Sequence, residues 1–241
     1  MYQEFARIYD KLVFDIDYKK YSDIIKSNIS YKTGLRILEI GMGTGNMTKY
    51  FIDSSKEYYG LDPSVEMLEV ASSKLNEFKN LRYLNIGIEE LEMDNYFDLA
   101  FSTLDTMNYI LDIKMLNESF KRVYNSLKPG GYFTFDINSL DKIERVLGNN
   151  SYIYEYENIF YTWQNYYDDK EQKVEMILDF FIKERDRYIR ITEEQIQKYH
   201  SPEELSKTLE EIGYNIIKIV DFDTGKDVKS TSQRILLICQ K

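Results

Sequence analysis

The sequence predicts an α/β domain: a mostly parallel sheet with helices on both faces, plus an antiparallel β insertion. Three observations predict it. Short apolar runs alternate with helical patterns across residues 35–138. Three glycines stand within five residues just after the first run, in ILEIGMGTGNMT (37–48). Residues 139–200 then change character, becoming aromatic and strand-like between polar turns.

The elements follow in order. LRILEI (35–40) is an apolar run of strand length and reads as a buried strand. EYYGLD (57–62), LRYLNI (81–86), YFDLAFST (96–103) and GYFTFDIN (131–138) read likewise. Residues 46–54 are expected to form the helix after the first strand. Ser64 caps a further helix whose apolar face is Leu68, Ala71, Leu75 and Phe78. Ile113, Leu116, Phe120, Val123 and Leu127 recur at helical steps, and that helix is expected to stop at Lys128-Pro129-Gly130-Gly131. Buried strands separated by helices imply a parallel sheet covered on both faces.

Composition narrows the function classes. The chain has 241 residues, enough for one sizeable domain or one domain with an insertion. No apolar run approaches the roughly 18 residues that span a bilayer, so no membrane association is expected. The first residues, MYQEFARIYDKLVFDIDYKKY, lack a basic start followed by an apolar core, so no secretory leader is expected. The single cysteine, Cys239, cannot form an internal disulfide, which fits a reducing cytoplasm. The net charge of −10 repels polyanions on average and weighs against nucleic acid as a partner.

The glycines mark the expected ligand site. They lie at the carboxyl end of the first strand, where a doubly wound sheet binds ligands. There glycine permits a sharp turn and a close ligand approach. The expected helix start beyond them would offer N–H donors to an anionic group. The spacing is G-x-G-x-G, and Asn46 stands where a dinucleotide fingerprint has its third Gly or Ala. Glu39 ends the first strand and Asp62 the second, 21 residues after Gly41. An acid at Asp62 can accept both hydroxyls of a ribose. The competing reading of Asp62, before Pro63-Ser64, is a turn initiator.

Four motifs in succession resemble those of class I S-adenosylmethionine-dependent methyltransferases: ILEIGMGTGNMT, YYGLDPSVEML, YFDLAFSTLDTMNYI and LKPGGYFTFDIN. The resemblance covers roughly residues 35–138. Residues 214–222 and 233–240 look like the sixth strand and the reversed seventh strand of that Rossmann-like, seven-stranded fold. FARIYDKLVFDIDY and the order of elements resemble a bacterial small-molecule subgroup that includes aminosugar and glycine-type N-methyltransferases.

The resemblance implies roles. Gly41, Gly43 and Gly45 would line the methionine part of the cofactor, with Glu39 behind them. Asp62 would bind the ribose, while Pro63 and Met67 pack near the adenine. Thr103 and Leu104 would pass beneath the methionyl chain. Tyr9 would close over the cofactor; a packing tyrosine in an N-terminal helix is the alternative. The family has an Asp after the third strand that reaches the adenine amino group. This sequence reads NIGIEEL (85–91), so Gly87 and Ile88 take that place and Glu89 is the candidate substitute. No metal is implied.

Acceptor residues are less marked. Asp105, Asn108 and Tyr109 occupy the loop after the fourth strand, where the family binds acceptors, and could equally be turn residues. His200, the sole histidine, is the candidate base; a boundary histidine before the capping box Ser201–Glu204 is the competing reading. SYIYEYENIFYTWQNYY (151–167) holds eight aromatics. With VEMILDFFI (174–182), RYIRIT (187–192) and turns at Asp168-Asp169-Lys170 and Glu184-Arg185-Asp186, it reads as an antiparallel platform over the cofactor site. Trp163 is a candidate wall of an acceptor pocket, though most of these tyrosines can be explained by packing.

The expected organisation is one methyltransferase domain: a helical cap (1–34), a cofactor core (35–138), a lid (139–200), and a last helix with two strands (201–241). The expected reaction moves a methyl from S-adenosylmethionine to a small-molecule acceptor, leaving S-adenosylhomocysteine. Two alternatives stay open: a catalytically inactive S-adenosylmethionine-binding regulatory module, and a tRNA-modifying methyltransferase. A nicotinamide dehydrogenase is excluded by Asn46 and the reversed last strand. The sequence sets no oligomeric state.

Overall fold

In the computed structural model, which describes Tyr2–Lys241 with side chains from Phe5 onward, two helices precede the sheet: α1 (Tyr2–Leu12) and α2 (Tyr18–Asn28). The core follows as β1 (Leu35–Ile40), β2 (Ser55–Leu61), α3 (Val65–Lys74), β3 (Leu81–Leu84), β4 (Phe97–Ser102), α4 (Ile113–Ser126) and β5 (Leu127–Asn138). The insertion supplies β6 (Ser151–Tyr156), β7 (Ile159–Asp168), β8 (Lys173–Glu184) and β9 (Arg187–Lys198). The chain closes with α5 (Pro202–Ile212), β10 (Asn215–Asp221) and β11 (Arg234–Gln240).

The main sheet has seven strands in the order β10-β11-β5-β4-β1-β2-β3, and β11 runs antiparallel to both its neighbours. Alternate residues of the buried strands face opposite helical layers. Leu38, Ala100, Phe133 and Leu237 pack against Leu116 and Phe120 of α4 and Leu205 and Leu209 of α5. Ile37, Leu99 and Leu236 pack against Ile25 of α2 and Leu68 and Ala71 of α3. Ser64 and Ser201 accept the N–H groups of Met67 and Glu204, which fixes where α3 and α5 begin.

The insertion forms a second sheet, β6-β7-β8-β9, antiparallel throughout. Its inner face, with Val174, Met176, Leu178, Phe180 and Ile191, packs on Phe5 and Ile8 of α1. The aromatic run that reads as one stretch is folded in two by a turn at Glu157-Asn158, where Glu157 has φ +53°.

Two elements depart from expectation. Residues 46–54 form no α-helix; two 3₁₀ turns, Thr48–Tyr50 and Ile52–Ser54, run straight into β2. The three-residue pitch places Thr48 and Phe51 on the same side, where Thr48 bonds Glu39 and Phe51 packs against Phe101 with its ring tilted. The segment Lys128–Gly131 is no free turn but part of β5. Gly130 N–H donates to Lys241 O and Lys241 N–H to Gly131 O, so the end of the chain takes up this bulged segment.

Candidate active site

The loop after β1 is built by its bonds to β2. Gly41 and Met42 N–H groups both donate to Leu61 O, at 2.8 and 3.0 Å, and Gly43 N–H donates to Asp62 Oδ2 at 2.8 Å. Gly45 N–H turns back to Met42 O. These donors are therefore used within the chain, and no α-helix N-terminus stands behind the loop. The expected anion site, which rested on bare N–H groups and a following helix start, is therefore not formed by these groups.

Two glycines show the fit of the loop. Gly43 has φ +52°, and a Cβ there would meet nothing within 4 Å; it would project into the cavity. At Gly41 a Cβ would lie 2.5 Å from the Thr106 side chain. The first glycine lets the loop after β4 close in, and the second leaves room for a ligand.

The cavity beneath holds about 550 Å³, a volume typical of small-molecule sites. One flank follows β2 and β3: Asp62, Pro63, Met67, Gly87, Ile88 and Glu89. The other follows β4: Thr103, Leu104, Thr106, Tyr109 and Ile110. Between them lie Glu39, Gly41 and Gly43, and α1 covers the space with Phe5 and Tyr9. From the second sheet, β9 contributes Glu193, Glu194, Gln195 and Ile196.

The carboxylates here are unequal. Glu39 is buried and accepts hydrogen bonds from Thr48 Oγ1 and Tyr58 Oη at 2.5 and 2.6 Å. Burial, only partly offset by these bonds, pushes it up to about 7. Burial also raises Asp62, against the pull of the Ser64 and Gly43 N–H groups. Glu89 folds back over Gly87. Glu193 is 6% exposed, and burial raises it as well.

Other sequence candidates lie outside the cavity lining. Gly45 packs against Leu75, whose Cδ1 would be 2.5 Å from a Cβ there. Asp105 turns away from the cavity and accepts from Arg234 Nη1 at 2.6 Å and Gln197 Nε2 at 2.5 Å. Burial alone would raise its pKa; Arg234 and Lys142 hold it low. Asn108 is buried and bridges strands, donating to Lys198 O and accepting from Asn138 N–H. Trp163 lies within the second sheet's packing beside Tyr152. His200 is buried with Nε2 3.0 Å from Ile110 O, and burial lowers it to about 4. It lies behind the loop after β4 and outside the cavity lining.

Among the lining residues, sequence reasoning missed Phe5, Tyr18, Met42, Thr44, Met47, Thr106, Ile110 and the four β9 residues. Alternation along β9 marks Ile191, Glu193, Gln195 and Gln197 as one face. Nothing local says which face meets the cavity.

A parallel sheet, its reversed last strand, and a nucleoside-sized cavity after β1, β2 and β3 define a class I methyltransferase architecture. The comparisons agree. A family profile described as a methyltransferase domain matches residues 37–131. A crystal structure of a S-adenosylmethionine-dependent methyltransferase from Clostridium acetobutylicum ATCC 824 is 36% identical, with a TM-score of 0.89, covering 99% of this chain and 98% of that one. YqeM from Bacillus subtilis (strain 168), named as a candidate methyltransferase, is 28% identical over 242 residues, 100% of this chain and 97% of that one. A SAM-bound amino pentose methyltransferase from Micromonospora echinaspora shares the fold at 14% identity and a TM-score of 0.72, covering 93% of this chain and 89% of that one. This chain belongs to the class I S-adenosylmethionine-dependent methyltransferases. Its methyl donor is S-adenosylmethionine, and no helix among the described residues is long and apolar enough to cross a membrane.

Proposed function

We propose that this enzyme methylates a small-molecule acceptor by in-line displacement. The observation that carries the reading is the cavity itself: about 550 Å³, roofed by α1 and β9, with one flank suited to adenosine and the other left for an acceptor. Bound S-adenosylmethionine supplies an activated methyl, and the chain's task is to hold the nucleophile on line with it. Asp62 holds the ribose hydroxyls, Pro63, Met67 and Ile88 enclose the adenine, and Glu89 accepts its amino group. Gly41, Gly43, Thr103 and Leu104 cradle the methionyl part. Tyr9 closes over it from α1. Residues 1–34 and 139–200 act as cap and lid on the core 35–138, which 201–241 completes.

A tRNA acceptor fits poorly. Glu39, Asp62, Glu89, Glu193 and Glu194 border the cavity, and no Lys, Arg or His does so among the described residues. The lone thiol of Cys239 is buried, in keeping with a reducing compartment. Calorimetric titration with S-adenosylmethionine and S-adenosylhomocysteine, with NAD as control, tests the reading. Micromolar binding of the first two and none of NAD is expected; no binding of either overturns it.

A further inference from the structure

Two side chains of the glycine loop are taken up by the N-terminal helix. Thr44 Oγ1 and Asn46 Nδ2 both donate to Asp10 Oδ1 of α1, at 2.5 and 2.9 Å. Lys74 Nζ, in the last turn of α3, donates to Asp10 Oδ2 at 2.5 Å and to Asn46 Oδ1 at 2.7 Å. One carboxylate thus ties together α1, the loop after β1 and α3. Burial alone would raise the Asp10 carboxyl; Lys74, Thr44 and Asn46 together hold it below its usual range. An acid in the last turn of α1 opposes the helix dipole, so its own helix gives no reason for it. Asn46, which stands where a dinucleotide fingerprint has its third glycine, finds its reason in the same contact.

Neither Asp10 nor Lys74 lines the cavity, whereas Phe5 and Tyr9 of the same helix do and cover it. We propose that Asp10 and Lys74 are positioning residues. They latch α1, and with it Phe5 and Tyr9, onto the glycine loop, and opening of this latch admits S-adenosylmethionine and releases S-adenosylhomocysteine. This rests on the reading that Tyr9 closes over the cofactor. Lifting α1 breaks the bonds from Thr44, Asn46 and Lys74 at once. The Asp10 and Lys74 side chains are 36% and 21% exposed, so water takes up both charges as they part, and the latch is worth ordinary hydrogen bonds rather than a buried ion pair. Because the latch lies outside the cavity, the ligand neither makes nor breaks it. A weaker latch therefore opens more often with and without ligand, and speeds entry and exit alike.

The test is the kinetics of S-adenosylhomocysteine on the immobilised full chain, followed by surface plasmon resonance. Asp10→Ala should raise the association and dissociation rates together, by about three- to tenfold, the range for an ordinary hydrogen bond. Their ratio, the dissociation constant, should stay as in the wild type. Lys74→Met leaves the Thr44 and Asn46 bonds and should move both rates the same way, but less. Asp10→Asn keeps the side chain's shape without its charge; it should also speed both rates, and it decides the matter if the alanine variant fails to fold. A lost contact without gating would raise the dissociation rate alone and weaken binding by the same factor. That result, or unchanged rates, overturns the latch and leaves closure by Tyr9 standing. Tyr9→Ala tests the closure separately: it should weaken S-adenosylhomocysteine, and an unchanged affinity overturns the closure reading and the latch with it.

Discussion

The Glu89 carboxylate occupies the space where a side chain on Gly87 would begin: a Cβ on Gly87 would stand 2.4 Å from Glu89 Oε1. Gly87 has an ordinary φ of −73°, so the backbone does not require glycine there. The empty position instead admits a carboxylate from two residues further on, set on the 3₁₀ turn Ile88–Glu90.

This relationship predicts a coupled pair. Glu89→Ala should weaken S-adenosylmethionine by about ten- to a hundredfold, the range for a hydrogen bond to a charged group. Gly87→Ala should weaken it through the same carboxylate, because the new methyl displaces a flexible side-chain end. The double variant should then be no weaker than Glu89→Ala alone. Additive losses in a calorimetric cycle would show two independent effects.

Asp62 joins β2 to the glycine loop through the Gly43 and Ser64 N–H groups, at 2.8 and 2.9 Å. Asp62→Ala should abolish or severely weaken cofactor binding while circular dichroism shows a folded chain. Asp62→Asn keeps an acceptor oxygen and should fall between. Retained affinity in Asp62→Ala would remove the proposed ribose contact.

Arg234, 11% exposed, lies 2.6 Å from both Asp105 and Asp136. Arg234→Met leaves two buried carboxylates unpaired and should cost about 3–5 kcal/mol in urea unfolding. Adding Asp136→Asn should recover part of that loss, since it removes one of the two stranded charges.

His200 gives a pH signature. Burial depresses it to about 4 in the folded chain, against about 6.5 when unfolded. The unfolded chain then binds more protons between those values. The stability from the neutral imidazole is fully present above pH 6.5 and is lost as pH falls toward 4, by up to roughly 3 kcal/mol. Unfolding curves across that window should be steeper in pH for the wild type than for His200→Gln. Cofactor affinity at pH 7.5 should be the same in both.

The sequence carried the sheet and the site's first flank, because both are local. Strand runs were legible from apolar periods, and the start of α3 from the side chain of Ser64. Gly41, Gly43, Asp62, Pro63, Met67 and Glu89 stand within a few residues of strand ends, and strand order brings those ends together. The helix expected at 46–54 was lost to a tertiary demand: the burial of Phe51 against Phe101 and the bond from Thr48 to Glu39.

By itself, the sequence determined which residues could share a face and which strand ends could carry a loop. Alternation and turn chemistry act over a few residues, so they are written locally. Only the tertiary structure decided what those faces meet. It turned Asp105 toward Arg234, 129 residues away, and out of the cavity that its loop neighbours line. It buried His200 behind Ile110 and set Glu193 of β9 over the β4 flank. Such pairings depend on how the second sheet docks on α1 and the core. That docking is fixed by the total burial of many apolar side chains, Phe5, Ile8, Phe180 and Ile191 among them, and no short stretch of sequence encodes it.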